Sequence, residues 1–223
     1  MVVRGLSAPQ RRLTILRSIK LFSTAGMKFW YLPFVALFLT TVPLVAQGAP
    51  RQSARRGRGS QQVITSSRKV AALLKQNDTR ALSRYVDANL GLRISPEVYA
   101  SKDDVKLSRA QVRNLATDKT ARTWGTYDGE GGPIRLNWTQ YRKNFVWHRD
   151  FTRGSRLSVN RPLGGRSTVI NNLRQFYPNS TLVEFYLPST SRDTMDWESL
   201  WLVWKQSQGT WRLIGIAHDQ WST

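Results

Sequence analysis

The rhythm of apolar positions changes along the chain. Between residues 66 and 116 it is helical. Ser66–Ser67 precede "RKVAALLKQ", in which Val70, Leu73 and Leu74 share a face. Asp78 is placed to cap "TRALSRYVDA", where Leu82, Tyr85 and Val86 share a face, and Ser108 to cap "RAQVRNLAT", with Val112, Leu115 and Ala116 on one side. "NLGLRISPEVYAS" reads as a turn, a short extended run and a turn at Pro96. Two further extended runs flank a glycine-rich bend in "ARTWGTYDGEGGPIRLNW". Asn137 then caps "WTQYRKNFVW", whose Trp138, Tyr141 and Phe145 repeat at helical spacing. "RLSVN" alternates as a strand, and "STVINNLRQFYP" predicts a helix that turns Val169, Ile170, Leu173 and Phe176 inward before Pro178.

The end of the chain reads as three strands: "TLVEFYL", "WESLWLVWKQ" and "TWRLIGIAHD". The last two are joined by the turn "SQGT". Helices first and strands last predict an α+β fold, N-terminal helices packed on a curved, mainly antiparallel sheet. In the last strand, alternation puts Ile214, Ile216 and His218 on one face and Leu213, Gly215, Ala217 and Asp219 on the other.

Ahead of this pattern, residues 28–46, "KFWYLPFVALFLTTVPLVA", form an apolar run behind a Lys, ending at the small residues of "AQGAP". These are the parts of a signal peptide. The reading divides the chain into residues 1–48 (N-terminal extension and signal peptide, with Met27 an alternative start), 49–67 (a basic disordered linker) and 68–223 (a single α+β domain). An uncleaved anchor over residues 28–46 stays open. Either way the domain is expected outside the cytoplasm, in the periplasm, cell envelope or extracellular space.

Charge sharpens this picture. The 223 residues carry a net charge of +20, but the first 77 hold 13 of the 34 Lys and Arg and no acid. Most of the excess belongs to this N-terminal third, so it argues little for nucleic-acid binding by the domain. The absence of Cys excludes disulfides, thiolate metal sites and a cysteine nucleophile. No cofactor and no metal site are expected.

The candidate chemistry is sparse. His218 ends an apolar face, whereas Asp219 points away from it, so any partner must come from another element. Glu184, which interrupts "TLVEFYL", and Asp128, in the glycine-rich loop, are the candidate carboxylates. Tyr127, Tyr186, Asp219, Trp221 and Asn171 are the candidate ligand-binding residues. Trp and Tyr stack on sugars, but Trp138, Trp201 and Trp204 sit at core positions. No nucleophile motif, metal triad or nucleotide loop accompanies His218.

The stretches "WGTYDGEGGPIRLNWTQYRKNFVWHRDF", "NNLRQFYPNSTLVEFYLP" and "DWESLWLVWKQSQGTWRLIGIAHDQWS" resemble a family of uncharacterised exported bacterial proteins, often seen as lipoproteins. The resemblance covers about residues 70–223 and departs in lacking a lipidation Cys. A second similarity, through "GTWRLIGIAHDQWS", is to the NTF2-like (SnoaL-like) cone. It implies a pocket inside the cone and no particular chemistry. The expectation is an exported envelope protein that binds a small ligand, a glycan or an envelope protein. The alternative is a hydrolase or isomerase using His218. Nucleic acid is not expected as a partner, membrane contact is limited to an uncleaved segment 28–46, and a homodimer stays open.

Overall fold

The computed structural model describes residues 49–127, 131–164, 169–192 and 195–221. Eight strands and five short or long α-helices make an α+β domain. Six strands form one open mixed sheet: β1 (Leu92–Ser95), β2 (Val105–Leu107), β5 (Arg156–Val159), β6 (Thr181–Leu187), β7 (Glu198–Ser207) and β8 (Thr210–Gln220). Their order is β2-β1-β8-β7-β6-β5. Every pairing is antiparallel except β1 with β8, which run parallel. The last strand therefore lies inside the sheet.

The β7–β8 hairpin turns on Gln208 and Gly209, both at positive φ (48° and 74°). Two left-handed residues give the turn the twist its strands require. The register slips between Val203 and Trp204, leaving Ile214 without a partner in the ladder. This bulge moves Ile214 from the face expected of it to the other one. Leu213 and Ile216 join one core, Ile214 and Ala217 a second.

The first sheet face carries the larger core. Helix α1 (Ala49–Gln76) lays Val63, Val70, Ala71 and Leu74 against it. The expected cap at Ser66–Ser67 is absent because the helix already runs through residues 49–67. Val63, Ser67, Val70 and Leu74 continue one buried stripe at helical spacing, and the Ser67 hydroxyl donates back to the Val63 carbonyl (2.8 Å). Asn77, at φ 55°, ends α1 in the left-handed conformation.

Other caps are as expected. Asp78 accepts from Ala81 N at the start of α2 (Thr79–Leu82). Ser108 and Gln111 form a capping box on α3 (Arg109–Asn114), Asn137 and Gln140 one on α4 (Trp138–Tyr141). From Arg142 to Val146 the chain continues as a π-helix. This region locks the end of α1: Trp138 Nε1 donates to Asn77 Oδ1 (2.8 Å), and Arg142 Nη1 donates to the Leu74 carbonyl (2.9 Å). Trp124, on the β3–β4 hairpin (Arg122–Thr126 with Pro133–Leu136), stacks on Tyr141 with ring centroids 4.1 Å apart.

The second face is covered by α5 (Leu173–Phe176) and the segment around Val98 and Ala100. The longer helix expected from Val169 does not form, and Ile170 is 75% exposed. The Asn pair explains why. Asn172 Oδ1 accepts from Ala100 N (2.7 Å) while its amide donates to the Ala100 carbonyl (2.9 Å), and Asn171 Oδ1 accepts from Leu173 N (3.1 Å). These bonds commit residues 171–172 to a turn and clamp rather than to helix.

Candidate functional site

The sheet alternation sorts the candidate residues. His218 stands opposite Leu200, on the side of Ile216 and the larger core. Glu184 stands opposite Trp201, on the side of the smaller core. The expected His218–Glu184 pair is thus separated by the sheet itself: two-residue alternation sends the side chains to opposite faces.

His218 instead faces Glu198, the first residue of β7, with Nε2 3.6 Å from Oε2. The other oxygen of Glu198 accepts from His148 Nδ1 at 3.0 Å. Both histidines of the chain therefore approach one buried carboxylate, from different oxygens. Burial alone would raise the Glu198 pKa, but the facing imidazoles outweigh it and hold the carboxyl below its ordinary value. The carboxylate can only accept, so it fixes Nδ1 of His148 as the protonated nitrogen. His148 is largely exposed, whereas His218 and Glu198 are buried. The sequence signal for Glu198 was an acid at the mouth of the apolar run "WESLWLVW"; His148 carried no comparable pattern.

Glu184 is an anchor. Its Oε1 accepts from Ser199 Oγ (2.7 Å) and Gly164 N (3.0 Å), and its Oε2 accepts from Ser158 Oγ (3.3 Å) and Leu163 N. Four donors from three segments surround one buried carboxylate, which pins the turn after β5 to the sheet.

That anchor forms one wall of a cavity of about 610 Å³ on the second face. Asn171, Asp219, Trp201, Asn160, Arg174 and Gln175 also line it. Asp219 and Asn171 are thus brought together with Glu184, and the amides and charges give the cavity donors and acceptors beside the apolar side chains of Val169, Leu182 and the buried Trp201. Among the described residues the Trp201 indole N–H has no hydrogen-bond partner. A second cavity of about 380 Å³ shares Val169 and Asp219 with the first and adds Tyr127, Trp221, Glu97 and Phe145. Tyr127 is 40% exposed and its ring lies 6.0 Å from that of Phe145. Tyr186 lines neither cavity; it packs on Trp197 with ring centroids 6.1 Å apart. Asp128 lies outside the described residues.

Among the described residues no helix is long and apolar enough to cross a membrane, and residues 28–46 lie outside them. Comparisons with protein-family models, with curated proteins and with solved structures find no match.

Proposed function

We propose that the chain is a non-enzymatic, exported cell-envelope domain that binds a polar, hydroxyl-rich ligand, a glycan, in the cavity beside Asn171, Glu184 and Asp219. The observation that carries the reading is the lining of that cavity. Side-chain amides, carboxylates and one Arg line it together with Pro162, Val169 and Leu182, a mixture of hydrogen-bonding groups and apolar surface that suits sugar rings. The hydrolase or isomerase alternative has less support, since His218 is buried on the other face and lines neither cavity.

The reading of the fold that accompanies this is an NTF2-like cone. It is supported by helices preceding the sheet, by their packing on one sheet face and by the inner position of β8. Export is supported by the apolar run over residues 28–46.

Calorimetric titration of the full chain with oligosaccharides, N-acetylglucosamine oligomers among them, tests the function. Saturable binding that Asn171→Ala or Asp219→Asn weakens about tenfold or more supports it, since unpairing a polar contact commonly costs that much. Binding unchanged in both variants, or no binding across the panel, contradicts it.

A further inference from the structure

A separate groove of about 500 Å³ runs between α1 and the start of β8. Its apolar surface comes from Leu73, Tyr85 and Trp211, all half-buried. The frame is rigid: Leu213 N donates to the Tyr85 carbonyl (2.8 Å) and Asp87 N to the Leu213 carbonyl (3.2 Å), which fixes the segment bearing Tyr85 to β8. Lys69, Arg84 and Arg212 line the same groove, and no described acidic residue does.

Among the described residues, none of the three forms a salt bridge. Arg212 Nη1 donates instead to the Arg84 carbonyl (3.1 Å), which holds its guanidinium along the groove. Arg212 also stands opposite Lys205 in the β7–β8 ladder. Like charges in register are unfavourable, and an anion in the groove, beside Arg212, Arg84 and Lys69, would relieve the repulsion on Arg212.

We propose that this groove binds a single-chain amphiphile with an anionic head, a carboxylate or a phosphate monoester. The apolar body lies against Leu73, Tyr85 and Trp211. The head is held by Arg84, Arg212 and Lys69, the two guanidiniums supplying forked donors that suit both head groups. The groove volume falls in the range of small-molecule sites. This site is independent of the glycan reading, because it shares no residue with either of the cavities lined by Asp219.

The test is calorimetric titration of the full chain, below the micelle concentration, with decanoate, decyl phosphate, decyl maltoside and decyltrimethylammonium. Decanoate or decyl phosphate should bind saturably, and the two arms identify which head is preferred. The double variant Arg84→Gln/Arg212→Gln should weaken that binding at least about tenfold, as expected when charge-assisted hydrogen bonds are removed. Ala72→Leu, which fills the groove and leaves its charges in place, should weaken it likewise, while Asn171→Ala should leave it unchanged. Binding of the cationic or neutral amphiphile as tight as that of the anions would overturn the proposal. So would anion binding that survives the double variant, or no saturable binding of either anion.

Discussion

Glu198 is the residue on which the polar end of the sheet depends. It is buried, yet it stays ionised because His148 and His218 approach its two oxygens. Its folded pKa lies below the unfolded one, so the stability it contributes is present above the ordinary carboxylate range. That contribution is lost as pH falls through the folded value. Urea unfolding between pH 3 and 7 should show this loss on the acid side. Glu198→Gln should flatten it and cost roughly 1–3 kcal/mol near pH 6, the range for a disturbed buried polar contact. His218→Ala should destabilise by a similar amount while leaving ligand binding intact. A His218→Ala protein of parental stability that has lost binding would instead place His218 in the ligand site.

At the scale of elements, β8 sits between β1 and β7, and its Ile216 is 1% exposed in the larger core. Ile216→Ala should cost roughly 2–5 kcal/mol in urea unfolding. A short helix such as α3 leans on its cap, so Ser108→Ala should cost about 1 kcal/mol. Strands β6, β7 and β8 were legible because long apolar runs end in turn residues, and the caps at Asp78, Ser108 and Asn137 because they are local. The bulge at Ile214 was not, since it exists only in the register of two strands. Nor was the parallel β1–β8 pair, which joins residues far apart in sequence. The lining of the cavity was legible in part. Asn171 and Asp219, singled out by the sequence, line it, whereas Glu184 and His218 do not meet, because sequence alternation fixes faces within a strand, not between strands. The helix expected from Val169 failed because Asn172 bonds to Ala100, a contact that local periodicity does not encode.

For the whole molecule, the buried positions of Val63 and Ser67 extend the folded unit ahead of residue 68. Limited proteolysis should therefore cut at the Arg residues from Arg51 to Arg58 and leave a product that retains Val63. Cleavage after Arg68 at the same protease dose, with loss of Val63 from the product, would show that this part of α1 is not held. On the proposed function, ligand recognition belongs to the second sheet face and not to the histidine end of the first. Amide chemical-shift mapping of the full chain, titrated with the tightest oligosaccharide of the panel, tests it most directly. Saturating shifts should cluster at Asn160, Gly164, Asn171, Gln175, Glu184 and Asp219. Shifts centred on His148, Glu198 and His218, with those residues unmoved, would contradict it.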